Sequence, residues 1–204
     1  MATTYLTNTL SGSPTDGNKW TWSAWIKRSK LGTRQPLFYA DDGSANYATF
    51  IRFRDTDQLD FSNQWAGSND SVLLTDRKFR DTNSWYHIQA VLDTSNATAA
   101  DRQILYVNGV RETDFATETT ATLNRGSTIN DAYQHRIGRG NNSFGSDYFD
   151  GYMSHVHFSD GNAYAPTVFG ETDSGTGQWK LKTSPSITMG TNGFTILKDG
   201  NTIT

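Results

Sequence analysis

The chain has 204 residues, a formal net charge of −3 and no cysteine. The lack of cysteine excludes disulfides, thiolate catalysis and zinc sites with cysteine ligands. The scattered Lys and Arg residues give no basic footprint for nucleic acid, and no apolar run approaches the roughly 20 residues of a membrane span. Neither nucleic-acid binding nor membrane insertion is therefore expected.

The residue bias predicts many short strands joined by turns. Only three of the 21 acidic residues are glutamates, and the chain also holds 18 Gly, six Trp, nine Tyr and eleven Phe. Glutamate favours helices, whereas Asp, Asn and Gly favour turns, and aromatic residues favour strands.

Alternation of apolar and polar residues predicts the strands in the first half of the chain. The first strong strand covers residues 19–28, and shorter ones are expected at 35–40, 47–54, 58–62 and 71–75. A further strand is expected at 84–93. The two basic clusters, residues 27–30 and 77–80, lie beside these strands and are interpreted as solvated edges.

Two of these strands supply the predicted core. One face of the first carries Trp20, Trp22, Ala24 and Ile26, and one face of the strand at 84–93 carries Tyr86, Ile88, Ala90 and Leu92. The second set is expected to point inward, next to Tyr106 or Val107 of the following strand.

The second half of the chain begins with a polar loop at 94–101 and a strand at 102–107. Asn108-Gly109 is the strongest hairpin signal, with 110–113 as the returning strand. Residues 117–131 show little pattern, strands are expected at 135–138 and 151–159, and at most one short helical turn follows Pro166. The absence of an amphipathic helix favours an all-β fold of two antiparallel sheets packed face to face. Residues 1–204 are expected to form one domain, with a Gly/Thr/Ser-rich, mobile tail from about residue 172.

Several motifs resemble a known family. They are Trp20-x-Trp-Ser-x-Trp-x-Lys-Arg-Ser, Ser84-Trp85-Tyr86-His87-Ile88, Tyr106-Val107-Asn108-Gly109-Val110, Phe169-Gly170-Glu171-Thr172-Asp173 and Gly190-Thr191-Asn192-Gly193-Phe194. Together they resemble the laminin G-like, concanavalin A-like lectin-fold domain of tailed, marine-type bacteriophage virion appendage proteins. The resemblance implies a two-sheet jelly-roll sandwich and a virion setting, and it identifies no catalytic residues.

The function that this resemblance implies is a non-enzymatic phage virion surface module, a fibre, knob or head-decoration protein, that contacts host-surface glycan. The alternative is a purely structural virion protein that docks to neighbouring capsid or tail chains. Other virion proteins and further copies of the chain are the expected partners. Residues 1–5 lack the charged start and apolar core of a secretory signal, so the chain is expected to be made in the host cytoplasm. Many similar proteins continue past the last motif, and an end at Thr204 favours a small stand-alone virion protein.

Two loops and one turn form the predicted binding rim. Sugars are recognised by an aromatic ring together with amide and carboxylate groups. The first loop offers Asp41, Asp42, Asn46 and Tyr47, the turn offers Trp65, and the second loop offers Asn141, Asn142, Phe144, Asp147 and Tyr148. Trp65 is expected to be exposed because no alternation buries it, whereas Trp20 and Trp85 are interpreted as core or sheet-covering aromatics.

Three other groups of residues bear on chemistry. No cofactor is expected, although the oxygen-rich loops at 41–44 and 141–147 leave calcium open. Glu112 and Glu118 resemble the catalytic glutamate pair of a glycosidase, but the spacing between them is one residue too long. An extended strand would hold them roughly 20 Å apart, too far for paired catalysis. His155 and His157 are expected to share a strand face. Such a pair can bind a metal, but we prefer the interpretation that they are two partly exposed histidines without a metal.

Overall fold

The computed structural model describes residues 3–44, 46–141 and 147–198, and most of its strands form two antiparallel sheets. The seven-stranded sheet has the order β1-β11-β3-β4-β5-β6-β10, and the six-stranded sheet has the order β15-β12-β2-β7-β8-β9. A small hairpin, β13-β14, is separate from both. The strands are β1 Leu6–Thr9, β2 Lys19–Arg28, β3 Gln35–Asp41, β4 Ala48–Phe53, β5 Gln58–Trp65, β6 Ser68–Lys78, β7 Tyr86–Asp93, β8 Gln103–Val107, β9 Val110–Arg111, β10 Phe115–Thr119, β11 Gln134–Ile137, β12 Gly151–Asp160, β13 Gly170–Thr172, β14 Trp179–Leu181 and β15 Phe194–Ile196.

The predicted all-β, two-sheet sandwich is confirmed. Only two short 3-10 turns, Ala99–Asp101 and Pro166–Val168, interrupt the strands in the described ranges, and the second is the turn predicted after Pro166. No helix among the described residues is long and apolar enough to cross a membrane.

The core lies between the two large sheets and is rich in aromatic rings. Trp20 of β2 packs against Phe61 of β5 at 5.5 Å between ring centroids, and Trp22 stacks on Phe38 of β3 at 6.1 Å. The predicted inward face of β7 is confirmed, since Ile88, Ala90 and Leu92 are fully buried, Tyr86 packs against the core and Val107 is buried beside them. Alternation found these positions because each strand has one buried face.

The predicted hairpin after β8 is also confirmed. Asn108 and Gly109 both have positive φ angles, 51° and 79°, and Val107 pairs with Val110. Both central residues of a type I′ turn require a positive φ, which Asn and Gly tolerate. Five strands escaped prediction, namely β1, β10, β13, β14 and β15. They have few buried positions and therefore little alternation, as the burial of β1 and β10 shows.

A bulge in β12 overturns the predicted face of that strand. Ser154 pairs with Trp25 and His157 pairs with Ser23, so that two residues of β12 lie opposite Ala24 of β2. His155, inside the bulge, has a φ of 49°. A bulge shifts the alternation by one residue. Tyr152 and Ser154 therefore do not share a face with Val156 and Phe158: Tyr152 is 62% exposed, whereas Val156 and Phe158 are in the core.

The bulge also changes the expected pair of partly exposed histidines. His157 is buried, and its Nδ1 lies 2.9 Å from Thr195 Oγ1 of β15. Burial, and then the neighbouring His155, lower the pKa of His157 to about 4.

The basic cluster at residues 27–30 is not entirely a solvated edge. Arg28 is fully buried at the end of β2, where it donates to Asp57 at 3.0 Å and to the Phe79 carbonyl at 2.6 Å. Its guanidinium also lies 4.3 Å from the centre of the Phe53 ring. A buried charge is stable only when it is paired and hydrogen-bonded. Arg28 therefore joins the two sheets from the inside.

Asp160, at the end of β12, ties distant segments together. Its carboxylate accepts hydrogen bonds from the Thr15 amide at 2.6 Å, the Asn130 side chain at 2.7 Å and the Asn192 amide at 3.2 Å. Burial acts to raise the pKa of this carboxyl, but these hydrogen bonds, with one from the Asp16 amide, outweigh burial and lower it. The carboxylate therefore stays ionised in a buried position.

Candidate functional site

The turn between β5 and β6 presents Trp65 at one end of the sandwich. Ala66 and Gly67 have φ angles of 51° and 79°, which gives a tight hairpin, and the Gly67 amide donates to the Asn46 carbonyl at 3.0 Å. Trp65 is 37% exposed, which confirms its predicted exposure. The tight turn lies outside the core, since the residues next to Trp65 in it are also exposed.

Two side chains fix the Trp65 ring. Tyr47 meets it edge to face at 5.0 Å, and the Arg125 guanidinium lies 4.9 Å from its centre. Arg125 is held in turn by Asp70, whose carboxylate is 3.1 Å from the Arg125 Nε. Such contacts orient an aromatic ring while leaving part of it accessible.

A cleft of about 160 Å³ opens beside Trp65. It is lined by Pro14, Gly17, Asn18, Trp65, Gly126, Ser127, Asn130 and Asp131. Asp131 is exposed and Asn18 partly exposed, so a carboxylate and an amide lie next to the indole. These groups are the hydrogen-bonding partners that sugar hydroxyls use.

More charged and aromatic groups surround this cleft. Burial, and then the carboxylates of Asp131 and Asp42 and the nearby Tyr47, raise the pKa of the Tyr133 phenol. The Asp42 amide donates to the Tyr47 carbonyl at 3.2 Å, and the Tyr133 amide donates to the Asp131 carbonyl at 2.7 Å. The surface formed by Asn18, Asp42, Tyr47, Trp65, Asp131 and Tyr133 is called the Trp65 rim below.

The two predicted loops do meet, but through buried groups. Asn141 donates to Asp41 at 3.0 Å, and Asp41 also forms an ion pair with Arg136. Asp41 and Asn141 are 2% and 7% exposed, so their side chains hold the sheet and loop together rather than face solvent. From the first loop, Asp42, Asn46 and Tyr47 do reach the neighbourhood of Trp65.

Tyr148, at the end of the second loop, lies elsewhere. Tyr148 pairs with Arg139 in an isolated bridge, and its ring lies 6.1 Å from that of Tyr5. Asp147 is partly buried, and burial raises the pKa of its carboxyl. Asn142 and Phe144 lie outside the described residues.

Asn18, Asp131 and Tyr133 of this surface were not predicted, and neither was Arg125, which lies over the Trp65 ring. They come from the turn before β2 and from the segment before β11, whose polar sequence shows no alternation. Tertiary packing alone brings them next to Trp65, and the only sequence signal was the number of Asp, Asn and aromatic residues in those turns.

Two carboxylates of the first loop that left calcium open already have partners within the protein. Asp41 is occupied by Arg136 and Asn141, and Asp42 accepts hydrogen bonds from the Ser44 amide and hydroxyl at 2.9 Å. Within the described residues, no group of three or more His, Cys, Asp or Glu could hold a metal ion. Calcium prefers six to eight oxygen ligands, and these carboxylates already serve the protein.

The Glu112–Glu118 segment follows a different path from the one expected. It is not one extended strand, since β9 ends at Arg111 and β10 begins at Phe115 in the other sheet. Both glutamates line one cleft of about 290 Å³. Burial raises the pKa of Glu112, and its carboxylate is paired with Arg77. Glu112 therefore lines this cleft as an ion-paired carboxylate.

Two antiparallel sheets packed face to face form a jelly-roll sandwich, an architecture found in many lectin domains. The chain belongs to the concanavalin A-like lectin/glucanases superfamily, whose family model matches residues 2–169. A comparison with curated proteins gives no match.

Solved structures of similar fold come from several organisms. The native heptameric SAP-like pentraxin of Limulus polyphemus matches with 16% identity and a TM-score of 0.51, over 78% of this chain and 70% of that chain. The IT-sialidase CBM40 of Ruminococcus gnavus matches with 11% identity and a TM-score of 0.52, over 81% and 96%. Domain 4 of AbnA, a GH43 extracellular arabinanase from Geobacillus stearothermophilus, in complex with arabinotriose, matches with 17% identity and a TM-score of 0.51, over 74% and 66%. The chain spans much less of some other matches, such as 29% of the NanB sialidase of Streptococcus pneumoniae. At these identities the likenesses establish the fold.

Proposed function

We propose that this protein is a non-enzymatic carbohydrate-binding module that contacts glycan through the Trp65 rim. The observation that carries the proposal is the exposed Trp65 ring, fixed by Tyr47 and Arg125 beside a cleft lined by Asn18 and Asp131. The ring supplies a face for the C–H groups of a sugar, and the amide and carboxylate supply partners for its hydroxyls. The superfamily and the likeness to a CBM40 domain and to an arabinanase domain solved with arabinotriose support this function.

The biological setting that we propose is the surface of a tailed-phage virion, where the module binds host-surface glycan. The support for this setting is the resemblance of the sequence motifs to phage appendage domains. Mass spectrometry of purified particles tests it, and the absence of the chain from the particles would contradict it.

A structural docking role is the second candidate, and one observation favours it. A cleft of about 280 Å³ opens between β1 and β15, the edge strands of the two sheets, and is lined by Leu6, Thr7, Asn8, Leu10, Phe38, His135, Ile137, Phe194 and Ile196. Its lining is largely apolar, and exposed apolar surface is typical of contacts with other chains.

The decisive experiment measures glycan binding by wild type, Trp65→Ala and Tyr148→Ala on a glycan array. Trp65→Ala should weaken binding at least about tenfold, because truncation of a central aromatic anchor costs about 2 kcal/mol or more. Tyr148→Ala should bind like wild type, since Tyr148 packs with Tyr5 away from the rim. Val110→Ala serves as the control, because Val110 is 68% exposed on the edge strand of the other sheet.

Two outcomes would contradict the Trp65 rim. If Trp65→Ala folds normally and binds as tightly as wild type, the sugar binds elsewhere on the protein. If wild type binds no glycan, even with calcium, the docking role becomes the better explanation.

We further propose that the protein acts as a homo-oligomer. The pentraxin of similar fold is described as heptameric, and repeated weak sugar sites gain avidity when they are joined. Light scattering on the purified protein tests this proposal, and a monomer at micromolar concentration would contradict it.

A further inference from the structure

A second aromatic surface lies on the outer face of the six-stranded sheet. It is a groove of about 380 Å³, lined by Trp25, Trp85, Ser154, His155, Trp179, Lys180 and Leu181. Sites for small ligands have volumes of roughly 300 to 1,000 Å³ and combine apolar walls with a few polar groups. This groove, called the Trp groove below, has three tryptophans together with a hydroxyl, an imidazole and an ammonium.

The bulge in β12 creates one wall of the Trp groove. Because the bulge shifts the alternation, Ser154 comes to line the groove next to its pairing partner Trp25. Tyr152 is exposed at its edge, 6.5 Å from the ring of Trp85. His155 lines the groove from within the bulge, with a positive φ of 49°. Bulges commonly occur next to binding sites, where they redirect a side chain.

The opposite wall is the β13-β14 hairpin, and its Trp179 is firmly fixed. The Trp179 Nε1 donates to His87 Nδ1 at 3.1 Å, so His87 carries its proton on Nε2, which lies 2.8 Å from Ser23 Oγ. A Cβ atom added to Gly109 or to Gly170 would lie 2.5 Å from the Trp179 ring. The backbone at both glycines therefore touches the indole and holds it in place.

The hairpin also sets the charge at the mouth of the groove. The Lys180 ammonium lies 3.3 Å from Glu171 and 3.3 Å from Asp173. Lys180 lines the groove, and its two carboxylate partners neutralise its charge, so an acidic ligand finds no unpaired ammonium there. The same three groups can accept from and donate to uncharged hydroxyls.

We propose that the Trp groove is a second saccharide-binding site, specific for an uncharged pyranose or furanose segment. The ligand packs its C–H faces on Trp25, Trp85 and Trp179, and its hydroxyls bind Ser154 and Lys180. The site is separate from the Trp65 rim: Asn18 of the rim precedes β2, and Trp25 lies near the far end of that strand, roughly 20 Å away at about 3.3 Å per residue. One chain therefore carries two sugar sites that face in different directions.

The test is affinity electrophoresis in native gels that contain mannan, galactan, arabinan or alginate, with alginate as the acidic polysaccharide. Wild type, Trp85→Ala, Trp65→Ala and the double variant are compared. Trp85→Ala is suitable because Trp85 is 40% exposed, so its removal leaves the core intact. Tyr5→Ala is the matched control, since Tyr5 is an aromatic residue with a similar exposure of 38% that lies in neither site.

We expect at least one neutral polysaccharide to retard the wild type, and Trp85→Ala to weaken that binding about tenfold or more. Trp65→Ala should retain the binding through the Trp groove that Trp85→Ala loses. The double variant should lose binding through the Trp groove and through the Trp65 rim. His155→Asn provides a second variant, because Asn tolerates the positive φ and the change removes the imidazole together with its 2.7 Å contact to the Ser154 hydroxyl. It should weaken the same binding as Trp85→Ala, with an unchanged circular dichroism spectrum.

Each other outcome has a definite meaning. If folded Trp85→Ala and His155→Asn bind every neutral polysaccharide as tightly as wild type, the Trp groove is not a sugar site, whatever Trp65→Ala does. If Trp65→Ala and Tyr5→Ala bind normally while Trp85→Ala and His155→Asn do not, the groove is confirmed and the Trp65 rim fails. Retardation by alginate alone would overturn the preference for an uncharged ligand.

Discussion

Lowering the pH from 7.5 to 5.5 should destabilise this protein through three buried histidines. Burial lowers the pKa of His87 to about 3 and those of His135 and His157 to about 4, with smaller contributions from neighbouring groups. All three are at most 4% exposed and are hydrogen-bonded as neutral rings. Unfolding releases them to water, where a histidine has a pKa of about 6.5.

The sign and size of the effect follow from this difference. Below pH 6.5 the unfolded chain binds protons that the folded chain does not bind. The free energy of unfolding therefore decreases as the pH is lowered from 6.5 to the folded pKa values. The full free energy of unfolding is therefore available only above pH 6.5, where the histidines are neutral in both the folded and the unfolded chain. At pH 5.5 each unfolded histidine is about 90% protonated, which is worth about 1.4 kcal/mol, or about 4 kcal/mol for three. That is a large part of the 5 to 15 kcal/mol typical of a domain.

Urea unfolding followed by tryptophan fluorescence at both pH values measures this loss. The midpoint should fall with an unchanged slope, and His157→Gln should lose about one third of the pH dependence even if it is less stable at pH 7.5. Burial raises the pKa values of Glu112 and Asp147, and these groups act in the opposite sense, so the comparison of wild type with His157→Gln is the cleaner quantity. A stability that changes by less than about 0.5 kcal/mol in both proteins would refute the neutral, buried state of these rings.

Two further predictions concern stability and use the same urea assay. Ile88→Ala should cost about 2 to 5 kcal/mol, because Ile88 is fully buried in the core, and a loss under about 0.5 kcal/mol would mean that its face of β7 is not packed. Asp57→Asn should cost about 3 to 5 kcal/mol, because it leaves Arg28 buried without its charge partner. Asp93→Asn, which breaks a partly exposed pair with Lys19, is the control and should cost under about 1 kcal/mol; equal losses in the two variants would contradict the argument.

The sequence predicted the central strands well because each has one apolar face. Trp20 and Ile88 were placed correctly by alternation alone. The same rule failed in β12, where the extra residue at the His155 bulge moves Tyr152 and Ser154 to the other face. Nothing in the letters of that strand marks the bulge, because its position depends on how β12 pairs with β2.

The candidate sites show the same division. Trp65 was predicted because Asn and Gly flank it and local turn chemistry keeps it exposed. Asp131 could not be placed beside it, because 66 residues of chain separate the two and only the packed loops join them. Trp179 of the second groove follows a polar stretch whose hairpin has little alternation of its own.

The links made by Asp160 have a consequence for how quickly the chain reaches its final structure. Its carboxylate joins the Thr15 amide, 145 positions away in sequence, to the Asn192 amide, 32 positions away. The paired residues of β2 and β12 are also far apart along the chain, from 123 positions for Arg28 and Gly151 to 140 positions for Trp20 and Asp160. Folds dominated by such long-range contacts assemble slowly, in milliseconds to seconds, because large loops must close first. The Asp160 cluster can form only after residue 192 has been synthesised, so a ribosome-bound chain lacking that segment exposes the open edge of β12 to its neighbours.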